Sequence, residues 1–161
     1  MGILLLPAAA LPHNRKNWRE TTAEENREAV IGLIRDGTLQ GYLAHLGDKP
    51  VGWCNADPRV RMTTTPDYEE SDAVVISSIM CFVVAKEQRR KGVSRRLLEA
   101  ACAGFAAQGM TAAEAYVPNG VRGDAKNHAG PLSMYLSAGI ERCRECCDDG
   151  DGTIVLRKNL A

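Results

Sequence analysis

The sequence predicts one mixed α/β (α+β) domain whose sheet is mostly antiparallel and contains a central pair of parallel strands. Residues 79–117 have the pattern of a strand, a helix and a second strand, which makes the two strands parallel neighbours with a right-handed crossover. Segments with the pattern of hairpins lie on both sides, at 41–54 and 141–160. At 161 residues, 45% of them hydrophobic, the chain suits one domain with a real core, and we assign residues 1–161 to it.

The N-terminal third predicts a strand and then a helix. The apolar run at 3–6 favours a first strand over a secretory signal, because no basic residue precedes it and Pro7 interrupts it. Thr22 and Glu25 have the spacing of a capping box, and Gly37 follows the last apolar residue of the pattern. We therefore expect a helix over 22–36.

A hairpin and a long loop come next. The strand-like segments 41–46 and 50–54 flank the dipeptide Gly47-Asp48, which is typical of a tight turn. Residues 57–72 have prolines, threonines and charges without periodicity, so we predict a loop over all of them. Arg59 and Arg61 are expected as solvated loop charges, with recognition of an anionic acceptor as the alternative.

The central stretch predicts a phosphate site between a strand and a helix. The run 79–85 is short and rich in β-formers, which favours a central strand. After it, apolar or small residues recur at helical spacing from Val93 to Phe105. The turn between them contains Gly92, where the backbone is open to a ligand, and the helix amides beyond it attract a pyrophosphate. A basic loop whose charges are only solvated is the alternative.

This loop identifies a family resemblance. Residues 89–94 resemble the Q/R-x-x-G-x-G/A loop of the GNAT superfamily of N-acetyltransferases, and Phe82–Val84 is similar to the CoA-contacting strand of that family. Ser94 departs from the usual Gly or Ala, and we expect the small side chain to be accommodated. The resemblance implies acetyl-CoA as cosubstrate and the following contacts: Phe82, Val83, Val84, Arg89, Arg90, Lys91, Gly92, Val93, Ser94 and Arg95.

The resemblance also implies how the cosubstrate is held. In a GNAT-like fold the two parallel strands splay apart, and CoA lies in the V-shaped gap between them. The strand at 75–85 would offer backbone groups to the pantetheine amides, and residues 92–95 would hold the pyrophosphate.

A predicted helix at 131–138 contains the second match to the family. Tyr135 begins a segment that resembles Y-x-x-x-G-F, in which the tyrosine lies near the CoA sulfur and protonates the departing thiolate. A phenol suits this role because its ordinary pKa is near 10 and it donates a proton without carrying charge. The alternative is a core tyrosine packed beside Leu132 and Leu136.

The base is less evident from the sequence. No Asp or Glu occurs over 73–85, so the candidates are Glu114 on the next strand, His128 before the last helix, and acids of the long loop. His128 has the most suitable ordinary pKa, although a surface loop histidine is the alternative. Glu114 is expected to be a solvated strand residue unless it serves as the base. The loop acids are Glu69, Glu70 and Asp72.

The six cysteines are expected to be reduced thiols of a cytoplasmic protein, because their spacing is irregular and the chain does not need disulfides to fold. Cys81 on the central strand is expected to behave as a small hydrophobe. The cluster at 143–147 has no His at finger spacing, so we expect no metal.

The 20 basic and 20 acidic residues cancel, so no global field favours nucleic acid or a membrane surface as a partner. We expect an acetyltransferase that acts on a small-molecule or peptide amine by direct attack in a ternary complex. A non-catalytic acyl-CoA sensor is the rival, and a homodimer is plausible from the resemblance.

Overall fold

The computed structural model describes residues 2–6, 22–37, 39–61, 75–118, 127–145 and 152–161. Within these ranges lie seven strands, three α-helices and two short 3₁₀ turns. The strands are β1 (Gly2–Leu6), β2 (Gly41–Leu46), β3 (Lys49–Pro58), β4 (Ile76–Val84), β5 (Ala112–Pro118), β6 (Glu141–Glu145) and β7 (Thr153–Asn159). The helices are α1 (Ala23–Arg35), α2 (Val93–Ala107) and α3 (Leu132–Ser137), and the turns are Arg59–Arg61 and Lys86–Gln88.

All seven strands belong to one sheet in the order β1-β2-β3-β4-β5-β7-β6. Only β4 and β5 pair in parallel among these strands, and the other five pairings are antiparallel. The crossover from β4 to β5 runs through α2, as the sequence pattern predicts. The predicted fold class is therefore confirmed.

The parallel pair comes apart after four residue pairs. The pairing runs from Ile76 and Ala112 to Ile79 and Ala115, after which β4 follows β3 alone and β5 follows β7 alone. The register of β3 against β4 shifts at the same level, which leaves Met80 as an extra residue on β4. A bulge of this kind bends its strand, so β4 turns away from β5 there. The result is the splayed gap that the family resemblance implies.

The core lies between the sheet and α2. The inward face of this helix consists of Leu97, Leu98, Ala101, Cys102 and Phe105, all of which are buried. Small residues on the facing strands, such as Ala44, Ala56 and Ala115, allow the helix to approach closely. Tyr135 of α3 packs into the same cluster, so α2 and α3 cover one face of the sheet.

Two boundaries differ from the prediction. β3 extends to Pro58, so the long loop does not begin at Asp57; Asp57 and Pro58 pair with Ser78 and Ser77 of β4. Residues 62–72 of that loop, which include Glu69, Glu70 and Asp72, lie outside the described residues. β4 begins at Ile76, close to the start at residue 75 that the resemblance implies, and not at residue 79 where the apolar run begins, because its first residues pair with strands on both sides.

Elsewhere the predicted elements are confirmed. Thr22 caps α1, and its hydroxyl and the Glu25 carboxylate form the reciprocal bonds of a capping box. The ranges described contain no helix with the length and apolarity needed to cross a bilayer.

Candidate functional site

The N-terminus of α2 is open in front of its first turn. Gly92 occupies the cap position with φ +79°, and no side chain caps the helix there. A Cβ added to Gly92 would meet nothing within 4 Å. The amides of Val93, Ser94 and Arg95 have no partner within the helix, so they and the positive end of the helix dipole are available to an anion. This arrangement suits a phosphate group.

Basic side chains surround this helix end. Arg89, Arg90 and Lys91 are exposed, and Arg89 folds back so that its Nε donates to the Val84 carbonyl at 3.3 Å. Arg95 is held more firmly, because it pairs with Glu99 at 2.9 Å and its Nη2 reaches the Ser137 carbonyl at 3.5 Å. The first turn of α2 is thereby linked to the end of α3.

The β4 edge of the gap presents backbone polar groups. Ala85 donates its N–H to the Val51 carbonyl at 3.0 Å, and antiparallel pairing alternates the direction of these groups. The N–H and C=O groups of Phe82 and Val84 therefore point away from β3 and into the gap. The Phe82 N–H donates there to the His128 carbonyl at 2.8 Å. Segment 127–130 thus lies against the splayed part of β4.

Tyr135 lies beside this segment and is fully buried. Its hydroxyl donates to the Ala129 carbonyl at 2.6 Å, and its ring packs edge-on against Phe82 with centroids 6.4 Å apart. Burial raises the pKa of Tyr135 well above its ordinary value of 10, so the phenol keeps its proton at neutral pH. The side chain of His128 is exposed. The structure therefore brings Phe82, His128 and Tyr135 together at one edge of the gap.

Glu114 lies on the opposite face of the sheet, in a buried ionic cluster. The expectation that it is solvated is wrong, because its side chain is 0% exposed. Its Oε2 accepts from Arg59 Nη1 at 2.7 Å and from the Tyr116 hydroxyl at 2.9 Å. Its Oε1 accepts from Arg157 Nε at 2.7 Å and from Arg157 Nη2 at 2.5 Å. The physical reason is that β5 is a central strand with residues packed over both of its faces.

The expectation that Arg59 is a solvated loop charge is also wrong. It is 3% exposed rather than solvated, and its guanidinium contacts both Glu114 and the Tyr116 hydroxyl, with its Cζ 5.4 Å from the Tyr116 ring centroid. Arg61 is partly exposed and pairs with Asp57 at 3.2 Å. Burial raises the pKa of Asp57, and Arg61 acts in the opposite direction.

Sequence reasoning missed Asp57, Tyr116 and Arg157 as members of this polar group. The alternation of Glu114 and Tyr116 along β5 placed them on one face. Their basic partners come from β7 and from the turn after β3, which are distant in the chain.

The cysteines have no catalytic surroundings in the described part of the chain. Burial raises the pKa of the Cys81 thiol, which fits a small hydrophobe better than an activated nucleophile. Among described residues, no three or more His, Cys, Asp or Glu side chains form a group able to hold a metal ion. Cys146 and Cys147 lie outside the described residues.

A family model matches most of the chain. The model of the acetyltransferase (GNAT) family matches residues 7–122, which is well over half of the chain. No functionally curated protein matches the chain significantly.

Solved structures resemble the fold at low sequence identity. A protein from Desulfovibrio desulfuricans assigned to the GNAT family has a TM-score of 0.62 and 19% identity, covering 99% of this chain and 100% of the other. The ribosomal-protein-alanine N-acetyltransferase of Brucella melitensis has a TM-score of 0.59 and 19% identity, covering 86% and 79%. The yncA protein of Salmonella typhimurium, solved with its cofactor acetyl-CoA, has a TM-score of 0.60 and 13% identity, covering 88% and 76%.

Proposed function

We propose, because this chain belongs to the GNAT family of acetyltransferases, that it transfers the acetyl group of acetyl-CoA to a primary amine of a small molecule or peptide. The single observation that best supports this activity is the open N-terminus of α2 at Gly92, which follows the strand that borders the gap after one short turn. A pyrophosphate at this position would accept from the amides of residues 93–95 and neutralise the charges of the basic loop.

The rest of the cosubstrate would follow β4. The outward backbone groups of Phe82 and Val84 have the direction needed to bond the pantetheine amides, and Val83 is 63% exposed beside them. The His128 carbonyl, which accepts from Phe82, would give way where a pantetheine group takes that amide. These features support the predicted set of contacts from Phe82 to Arg95.

The reaction we propose is a direct attack in a ternary complex. The amine nitrogen gives a proton to the base and attacks the thioester carbonyl carbon, the C–S bond breaks, and the departing thiolate takes a proton from the acid. Tyr135 is the proposed acid, since burial keeps its phenol protonated. To donate to the sulfur, its hydroxyl would have to leave the Ala129 carbonyl. Of the two proposed bases, His128 is favoured because it is exposed at the gap, whereas both carboxylate oxygens of Glu114 are engaged.

Release of free CoA thiol across a panel of primary amines tests this function. We expect amine-dependent thiol release with equal formation of the acetylated amine. The rival is an acyl-CoA sensor, and binding of acetyl-CoA without turnover of any amine, small or peptidic, would favour it. Size measurement in solution would decide whether the chain forms the homodimer that we propose.

A cytoplasmic location is part of the proposal, supported by irregular cysteine spacing and by the free thiols of Cys54, Cys81, Cys102 and Cys143. Titration of the denatured, unreduced protein should return close to all six thiols. Recovery of none would indicate disulfides and an exported chain.

A further inference from the structure

A row of polar residues crosses the sheet on the face opposite α2. The residues are direct neighbours in successive strands from β3 to β6, and paired residues project from the same face of a sheet. In order they are Asp57, Ser78, Glu114, Arg157 and Glu141. The row lies at the level where β4 and β5 still pair, one step before the gap opens.

Glu114 is the centre of this row and joins three elements. Arg59 reaches it from the turn after β3, and Arg157 reaches it from β7. Tyr116, two residues along β5, adds a hydrogen bond to the same carboxylate. Asp57 with its partner Arg61, and Glu141 opposite Arg157, also lie on this face.

This geometry is unfavourable for a general base. A base needs an oxygen lone pair directed at the amine and access to it, and Glu114 is fully buried with guanidinium donors on both oxygens. Protonation would weaken two ion pairs at once, since each guanidinium would lose its anionic partner. The carboxylate is better suited to holding its neighbours in place.

Tyr116 is the neighbour that lies closest to the reaction. It is the first residue of β5 beyond the parallel pairing, so it stands at the mouth of the gap and is only partly buried. Its hydroxyl lies between Arg59 and Glu114, and its ring lies beside the Arg59 guanidinium. Of the described residues, those of α2 and α3 cover the other face, which leaves the face that carries Tyr116 for the approach of the amine.

We infer that Glu114 is a positioning residue, which fixes Tyr116 and Arg59 as part of the wall that receives the acceptor amine. The inference rests on the proposed function, because it assigns the acceptor side of the same site. It predicts that the residues around Glu114 determine how well the acceptor binds. Binding of acetyl-CoA and proton transfer from the amine should not depend on them.

The test compares Glu114→Gln and Tyr116→Phe with the wild type. Steady-state kinetics over a range of pH would give KM for the acceptor and the acidic limb of kcat, and calorimetry would give the Kd for acetyl-CoA. Glu24→Gln, which removes an exposed ion pair with Arg27 on α1, is the control for loss of a carboxylate. Tyr116→Phe keeps the ring and removes only the hydroxyl. Its KM for the acceptor therefore tests the inference even if Glu114→Gln does not fold.

We expect both variants to raise KM for the acceptor roughly ten- to hundredfold through misplacement of the wall. The Kd for acetyl-CoA and the position of the acidic limb should match the wild type. A base at Glu114 would instead lower kcat about 10²- to 10⁴-fold and remove the acidic limb in Glu114→Gln.

The inference would be overturned if Glu114→Gln lost kcat and the acidic limb, as expected for a base. It would also be overturned if both variants kept the wild-type KM for the acceptor. Absence of turnover in the wild type with every amine is a separate result: it removes the proposed function, and the inference with it. A wild type that turns over an amine tests the role of Glu114 alone.

Discussion

The phenol of Tyr135, the proposed acid, is fully buried and ionises less readily than a free phenol. Burial raises its pKa well above 10, so an alkaline limb of kcat below about pH 10 has to come from another group. Its hydrogen bond to the Ala129 carbonyl also orients the segment that contains His128. One hydroxyl therefore links the proposed acid to the favoured base.

The variant Tyr135→Phe tests the acid. Turnover should fall about 10²- to 10⁴-fold, because the thiolate loses its donor, and the Kd for acetyl-CoA should change little. Tyr42→Phe is a matched control, since Tyr42 is also buried but packs against Phe105 under α2. Turnover of Tyr135→Phe equal to that of the control would make Tyr135 a packing residue.

At the scale of elements, contact between α2 and β2 depends on a missing side chain. A Cβ on Gly104 would lie 2.1 Å from the Tyr42 hydroxyl and 2.9 Å from the ring carbon that bears it. The Tyr42 hydroxyl is buried at this contact. The glycine is therefore required by close packing, and the helix would be forced off the sheet by a larger residue.

Gly104→Ala should lower the free energy of unfolding by about 1–3 kcal/mol because of this overlap. The penalty should be smaller in a Tyr42→Phe background, where the closest atom is absent. Gly32→Ala on α1 is the control, because its added Cβ meets nothing within 4 Å and should stabilise by about 0.4–1 kcal/mol. Equal effects of the two alanines in urea unfolding would contradict the packing argument.

The elements were predictable where the signal was local. The capping box at Thr22, the turn at Gly47 and the helical spacing after Gly92 depend on neighbouring residues, and each element lies within a few residues of its predicted place. The environment of Glu114 was not predictable in this way. Its partners Arg59 and Arg157 are 55 and 43 residues away in the chain, and only the strand order brings them together.

For the whole molecule, buried phenols set a limit on stability at high pH. Burial raises the pKa of Tyr42 from 10.0 to about 12. The pKa of Tyr42 is higher in the folded protein than in the unfolded chain. The contribution of Tyr42 to the free energy of unfolding is therefore fully present below about pH 10 and is lost as the pH rises to about 12. Tyr135 acts in the same direction, over a range that extends further upward.

Tyr42→Phe should therefore be less sensitive to alkali than the wild type. The difference in unfolding free energy between the two should shift in favour of the variant by up to about 3 kcal/mol between pH 9 and pH 12. Urea unfolding at several pH values measures this. A difference that stays constant over the range would show that Tyr42 ionises as easily in the folded protein as in the unfolded one.

The central claim is that the open N-terminus of α2 binds acetyl-CoA, and binding by paired glycine variants tests it most directly. Gly92 and Gly109 lie just beyond opposite ends of α2, with φ +79° and +80°, and an added Cβ meets nothing within 4 Å at either. Replacement by Glu adds the same charge and similar backbone strain at both sites. The helix dipole favours the carboxylate at Gly92 and disfavours it at Gly109, so Gly92→Glu should not lose more stability than its control.

Calorimetry with acetyl-CoA should show no measurable binding for Gly92→Glu, because its carboxylate and bulk would stand against the phosphates, and wild-type affinity for Gly109→Glu. Wild-type affinity in folded Gly92→Glu, or an equal loss in both variants, would contradict the account.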